Sequence, residues 1–481
     1  LVIYFLRPQE WSASLAWFRP VTLVMGYGLI VTALQRKNWS FRQLLNTPHD
    51  WAVLLFFGWV WLFTPASLNE TDRASHLLLF YVVIVQALSS FGRISFFLSS
   101  WAVVLFWVAA MAVACTGGFD PLGSSDLYLG HYRGRLALNT SIFNNPNALG
   151  HSVIALIPMV YFLVVWKRPL FVKILSIPLF ALPFACVYLT ESKGSFLAGF
   201  ASLLIATIFG RPKFVQAIIL VVAFTLGTTA LYELPRMHEL NRGRFDEGSA
   251  GRLHSLTWGL KTMRENPTGI GWRNYLNEFT RQDPERARAS HCAYNQVGAE
   301  LGYTGLFLYL GIMYCCLRTL ITMSTASDEE ERLRRILFVM LITFMVSGWM
   351  IDFAYRASFF MTAATIAAFH RLSVARRSGE VIAEQGEEQA GSSRPRLQPQ
   401  PIGPVLQPAM AAPVALEATN LMSVQPPAAA LAMARQGERD EPEAAPRPGL
   451  SWTRLGLLDL ALIWALTEGT VHFWTYIIEQ F

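Results

Sequence analysis

Apolar runs recur along this chain at a spacing that leaves little choice of architecture. They fall at about 21–35, 51–66, 77–91, 97–116, 147–166, 170–190, 195–210, 214–232, 302–321, 335–352 and 357–371, and charged side chains gather in the connections between them. A water-soluble core cannot cover so many all-round apolar helices. A bilayer requires them, because a helix satisfies its backbone N–H and C=O groups internally while its side chains face hydrocarbon. The chain opens at Leu1 inside a run (LVIYFL) too short to cross, which reads as the end of a first span cut short. The expectation is an all-α polytopic integral membrane protein with about twelve transmembrane helices and a further C-terminal helix. Several runs fall short of the roughly 20 residues an upright span needs, so their ends are soft. Charged residues make up only 15% of the chain, against about 25% in soluble domains.

Orientation follows from the short connections. Arg36, Lys37, Arg42, Arg93, Lys167, Arg168, Arg211, Lys213, Arg332, Arg334, Arg335, Arg371, Arg376 and Arg377 fall on one side, which the positive-inside rule makes cytoplasmic. The connections at 67–76, 117–146, 190–194, 233 to about 300, and 353–356 then face outward. Five domains result: helices over 1–232, a large periplasmic loop over 233–295, core helices over 296–372, a disordered cytoplasmic linker over 373–451, and a membrane or interfacial helix over 452–481. The linker is Pro, Ala, Gln and Glu without periodicity. In the last helix, Glu468 and His472 are four apart and share a face. The formal net charge of +6 is read as orientation and contact with anionic membrane lipids or phosphate, with no nucleic-acid partner. The five cysteines, at 115, 186, 292, 315 and 316, show neither a disulfide framework nor zinc spacing.

The outward loop is rich in arginine, including Arg252, Arg273, Arg286 and Arg288. Within it Leu253, Leu256, Leu260 and Met263 mark an amphipathic helix that Asn266-Pro267 should stop. Such a helix would rest on the bundle and hold Arg252 over the membrane entrance. A planar guanidinium suits phosphate oxygens; a solvated loop balanced by Asp246, Glu247, Glu265, Asp283 and Glu285 is the other reading. TESKG, Thr190 to Gly194, puts Lys193 before a helix start, where a cation and free N–H groups make an anion site. FNNPN, Phe143 to Asn147, stands before another span. Capping is the favoured role of Asn147, and a carboxamide there can also hydrogen-bond sugar hydroxyls. In SHCAYNQVGAELGYTG, a helix starting near His291 would align His291, Asn295, Gly298, Gly302 and Gly305 on one face. The glycines would admit a neighbouring helix and hold the imidazole at the membrane surface. The set His238, Asp246, Glu247 and His254 has no recognised metal spacing, and no metal site is expected.

With FNNPNALG, TESKG, GRLHSLTWGLKTMRENPTGIGW and SHCAYNQVGAELGYTGL in this order, the chain resembles the O-antigen ligase and polymerase superfamily, which includes bacterial O-oligosaccharyltransferases. The likeness covers about residues 20 to 372, and the RPQEW opening also resembles exosortase-associated members. The resemblance implies a multi-pass protein of the bacterial inner membrane. It would transfer a glycan from an undecaprenyl-pyrophosphate carrier to an acceptor hydroxyl on the periplasmic face, without cofactor, metal or nucleotide. The acceptor would be a lipid A core sugar, a growing glycan or a protein Ser or Thr. His291 would be the base; Lys193, Arg252 and Arg273 would hold the pyrophosphate; Asn295, Gly302 and Gly305 would pack and position the helix; Asn147 and Cys292 are candidate glycan contacts. Two departures stand out. Cys292 follows the histidine where the family usually has Asn, Ser or Gln, and Lys193 stands where it usually has arginine.

Two other classes are weighed against this one. A transporter for lipid-linked glycan would keep charges near the membrane midplane, often in paired repeats; here they cluster at the outer ends. A thiol protease built on His291 and Cys292 needs the two side chains to face each other, which adjacent helical residues do not.

Overall fold

A computed structural model of the chain describes residues 1–11, 20–35, 45–65, 71–232, 247–392 and 452–480. Arg36, Lys37, Arg42, His238, Asp246 and residues 393–451 of the expected linker lie outside the described residues. Among those described there is no strand. The helices in order are α1 (Val2–Phe5), α2 (Pro20–Gln35), α3 (Pro48–Phe63), α4 (Thr71–Ala87), α5 (Phe91–Thr116), α6 (Pro146–Val153) and α7 (Leu156–Val160). Then come α8 (Leu170–Leu175), α9 (Ile177–Leu189), α10 (Lys193–Ile208), α11 (Lys213–Tyr232), α12 (Glu247–Glu265), α13 (Tyr275–Gln282), α14 (Ala293–Thr322), α15 (Asp328–Gly348), α16 (Ala357–Ser392) and α17 (Leu457–Gln480). The chain divides into two units. One comprises Leu1–Arg376 with Ser451–Phe481, the other Arg377–Leu450.

Among the described residues, four stretches are long and apolar enough to cross a membrane: Phe91–Thr116, Pro146–Val165, Leu170–Leu189 and Ala293–Thr322. Pro20–Val31, Arg73–Ala87, Lys193–Ile208 and Lys213–Val222 are apolar but shorter. Local chemistry sets the helix starts. Thr47 and Asp50 form a reciprocal capping box on α3, with Pro48 in its first turn. Ser90 caps α5, Ser192 caps α10 and Ser327 caps α15, whose first turn carries Asp328, Glu329, Glu330 and Glu331 against the positive end of the helix dipole.

The first unit is built around α14, which packs against α3, α12, α15 and α17. Its large buried side chains include Phe56, Phe57, Trp272, Tyr309, Phe359 and Phe360. At one end, cations tie helix ends together: Lys167 pairs with Asp328 at 2.6 Å, Arg335 donates to the Phe209 carbonyl at 2.9 Å, Arg371 donates to the Val85 carbonyl at 2.6 Å, and Arg376 pairs with Glu330. The connections carrying His291, Lys193 and Asp352 lie at the opposite ends of the same helices. The C-terminal α17 runs along α14 and α12. Asp459 pairs with Arg318 and accepts from Tyr314 at 2.7 Å, Tyr303 donates to Glu468 at 2.8 Å, and Arg264 donates to Thr475 at 2.9 Å. His472 stands 3.8 Å from Glu468.

α14 is not one straight helix. Gly302 has φ 69° and ψ −173°, a backbone conformation outside the helical region that only glycine adopts readily. The break frees carbonyls, and three of those before it find donors from elsewhere in the fold. Ile270 N–H donates to Ala299 O at 3.2 Å, Gly271 N–H to Glu300 O at 2.9 Å, and the Trp59 indole to Leu301 O at 2.9 Å.

Candidate active site

The start of α14 is bolted to α12 by one carboxamide. Asn295, 1% exposed, donates from Nδ2 to Leu256 O at 3.1 Å, and its Oδ1 accepts from Ser290 Oγ at 3.1 Å. The two helices close up because Gly259 has no side chain: a Cβ there would lie 2.1 Å from Asn295 Oδ1. Gly298 similarly receives Met263. The α12 face marked by Leu253, Leu256, Leu260 and Met263 is thus laid on α14, and the helix ends at Glu265, just before Asn266-Pro267.

His291 stands outside this helix. α14 begins at Ala293 with Cys292 as its N-cap, and His291 takes φ 51° in a left-handed turn. The expected alignment of His291 with Asn295, Gly298, Gly302 and Gly305 therefore fails. Ser290 Oγ binds both Asn295 Oδ1 and the Cys292 carbonyl (3.0 Å), which reverses the chain before the helix opens. The turn carries the imidazole among charges. Asp352, Arg252 and Arg288 all lie within electrostatic range of it. Burial holds the imidazole below its usual range, Asp352 opposes that, and Arg252 and Arg288 reinforce it. Its Nδ1 is buried without a hydrogen-bond partner. Cys292 is buried too, its thiol pushed up to about 11 by that burial, so thiolate chemistry at neutral pH is disfavoured.

The loop after α12 docks into the break of α14 through Glu300, 1% exposed. Its carboxylate accepts from the backbone N–H groups of Arg273 at 2.8 Å and Tyr275 at 3.0 Å, and from Gln296 at 3.3 Å. Gly269 and Gly302 allow the contact: a Cβ on Gly302 would lie 2.0 Å from Pro267 O, and one on Gly269 would lie 2.2 Å from Glu300 O. At Gly305 a Cβ would meet Leu301 Cβ at 2.1 Å, across the same bend. Arg273, with φ 58°, sits at the turn out of this clamp, in electrostatic range of Tyr355. The connection after α15 thus reaches His291 through Asp352 and the Glu300 clamp through Tyr355.

Lys193 is the first residue of α10, with Ser192 capping it and Gly194 second. Gly194 abuts His151, whose Nε2 lies 3.2 Å from where a Cβ would stand, and Arg252 acts electrostatically on that same histidine. His151 therefore links the surroundings of Lys193 to those of Arg252 and His291. Asn147 does not cap α6. Asn145 does, accepting from the N–H groups of Asn147 and Ala148, because the cap precedes Pro146 at the first helical position. Asn147 Oδ1 instead accepts from Arg135 at 3.0 Å, and Arg135 also donates to Thr190 O at 3.1 Å, tying FNNPN to TESKG.

A family model described as O-antigen ligase matches residues 178–310, the stretch from α9 through the loop into α14. Over that stretch the chain is similar to the O-antigen ligase family. No curated protein compared with the chain matches it. The matched stretch contains Lys193, Arg252, Arg273 and the whole segment from His291 to Gly305. His151, Asn147 and Asp352 come from outside it and meet it in space. Together with the four helices long and apolar enough to cross a membrane, the match supports a multi-pass membrane protein. Sequence reasoning passed over Asp352, Arg135, His151 and Glu300. Asp352 and Glu300 are acids in largely apolar stretches, a signal of structural or functional use.

Proposed function

We propose that this protein transfers a glycan from an undecaprenyl-pyrophosphate carrier to an acceptor hydroxyl on the periplasmic side of the bacterial inner membrane. The observation that carries the reading is the meeting of His291, Arg252 and Arg288, all in the stretch similar to O-antigen ligase, with Asp352 at the end of the bundle opposite the cytoplasmic-type cations. His291, kept neutral by burial, takes the proton of the attacking hydroxyl as the oxygen bonds to the anomeric carbon. The bond to the pyrophosphate breaks on the opposite face and the pair of electrons leaves with the phosphate oxygen, so the anomeric centre inverts. Arg252 and Lys193 offset the charge that develops on the leaving group, and the start of α10 supplies N–H donors. Arg273 completes the cationic set from the edge of the Glu300 clamp.

The test is glycan transfer in cells carrying His291→Ala or Arg252→Ala at normal protein level. Loss of a general base costs on the order of 10²- to 10⁴-fold, so transfer should fall to background. Undiminished transfer by His291→Ala sinks the assignment of the base. Carrier-linked glycan building up on the cytoplasmic face after deletion would favour a transporter, and build-up on the periplasmic face favours transfer.

A further inference from the structure

The C-terminal third of α17 lies against the three elements that bring His291, Arg252 and Asp352 together. Just past the break in α14, Tyr303 donates to Glu468 at 2.8 Å. From the last turn of α12, Arg264 donates to Thr475 at 2.9 Å. Between these two ties, Phe473 and Trp474 reach the connection after α15, where the Trp349 ring lies 5.3 Å from that of Phe473 and 6.3 Å from that of Trp474. Rings at such separations attract one another. α17 lies outside the stretch similar to O-antigen ligase, and the transfer reading makes no use of it.

Trp349 follows the last residue of α15 and stands three before Asp352. Its ring also packs at 5.1 Å on Tyr294, three residues after His291. Tyr294 is itself fixed, 3% exposed and donating its hydroxyl to Met345 O at 2.7 Å. Ile351 and Phe353 are buried on either side of Asp352, so Trp349 sets where this short segment begins. Trp349 is 36% exposed while Trp474 is fully buried, which makes α17 the fixed wall that keeps a half-exposed ring on Tyr294. Asp352 works against burial and against Arg252 and Arg288 at the imidazole. Its influence falls with distance, so a displaced Asp352 is felt at His291.

We propose that α17 is a positioning element of the active site: Phe473 and Trp474 act through Trp349 to keep Asp352 beside His291, while Glu468 and Thr475 tie down the two helices of the clamp. The inference rests on the transfer reading above and adds to it a helix that the family match does not include. Phe473 and Trp474 are positioning residues and touch neither carrier nor acceptor.

The experiment is the pH profile of kcat/KM for glycan transfer by the purified full chain in detergent, comparing wild type, Trp474→Ala, Trp474→Phe and Asp352→Asn. Asp352→Asn gives the full displacement of the acidic limb to lower pH. Trp474→Ala should move the limb the same way by part of that displacement, and should move it no further when combined with Asp352→Asn. On the plateau kcat should fall on the order of tenfold. KM for the donor should stay within about twofold, because Glu468 and Thr475 still tie the clamp that carries Arg252. Trp474→Phe keeps a ring against Trp349 and should restore the wild-type limb. A general loss of structure would lower the rate without moving the limb. If Trp474→Ala is not monodisperse, Phe473→Ala, at a residue 49% exposed, decides by the same criterion. A limb that stays at the wild-type pH, or that moves equally far with Asp352 already replaced, overturns this inference alone. Wild type failing to transfer glycan from the lipid-linked donor overturns the transfer reading, and this inference with it.

Discussion

Gly302→Ala is the substitution from which the fold yields the largest effect for the smallest change. The new methyl would have to stand 2.0 Å from Pro267 O and 2.6 Å from Pro267 C, both backbone atoms that no side-chain rotation moves away. Holding a non-glycine residue at φ 69° and ψ −173° costs about 1–3 kcal/mol. Relieving the clash by undocking the loop breaks the Ile270 and Gly271 bonds to Ala299 O and Glu300 O, at about 1 kcal/mol each. The sum, about 3–5 kcal/mol, is about a fifth or more of a usual folding free energy. The assay is thermal unfolding of the detergent-solubilised protein followed by tryptophan fluorescence, with glycan transfer measured alongside. A fall in Tm on the order of 5–10 °C is expected, with transfer lost because His291 and Arg252 no longer share one frame. Gly26→Ala is the control: nothing lies within 4 Å of a Cβ there. If Gly302→Ala melts with wild type and transfers normally, the account of α14 as a broken helix clamped by the loop is wrong.

Other consequences can be tested the same way. Since burial lowers the His291 pKa, the acidic limb of kcat/KM should have its midpoint below about 6.5. A base works when neutral, so removing the raising influence with Asp352→Asn should move that limb to lower pH, and removing a lowering one with Arg288→Gln to higher pH; shifts of opposite sign would refute the electrostatic picture. Glu300→Gln places an amide NH₂ against the Arg273 or Tyr275 N–H, at a cost of about 1–3 kcal/mol, and should speed trypsin cleavage in the 273–288 segment. Asp459→Asn takes the carboxylate from Arg318, which keeps only Tyr314 and the face of Trp452, costing on the order of 3 kcal/mol. It should release α17, read as faster proteolysis after Arg454.

The helical character of the apolar runs was legible because their connections are polar, whereas of the twelve expected spans four stretches among the described residues are long and apolar enough to cross. The amphipathic α12 was legible too, since four apolar residues at helical spacing and an Asn-Pro stop state both its face and its end. His291 was singled out by type and order, but its placement in a left-handed turn before the helix was not legible. Cysteine is a poor N-cap, so nothing in SHCAYN announces that the helix begins two residues later. The break at Gly302 is invisible for a different reason: the glycine spacing of GAELGYTG reads equally well as a packing stripe, and φ is not written in the sequence. Asp352 and His151 were missed because a lone polar residue at the edge of an apolar run gains meaning only from what lies across from it.

The break in α14 also bears on how the protein meets membranes of different thickness. Thirty residues of unbroken helix, Ala293–Thr322, would measure about 45 Å, well beyond a hydrocarbon core of about 30 Å. The twenty residues from Tyr303 to Thr322 measure about 30 Å and match that core by themselves. The nine from Ala293 to Leu301 turn aside and belong to the clamp with α12 rather than to the span. A thicker or thinner bilayer can then be met by tilting the lower segment. The imidazole in the turn just before the upper segment and Arg252 on the α12 clamped to it are tied to that segment, so their mutual spacing is decoupled from the tilt of the lower one.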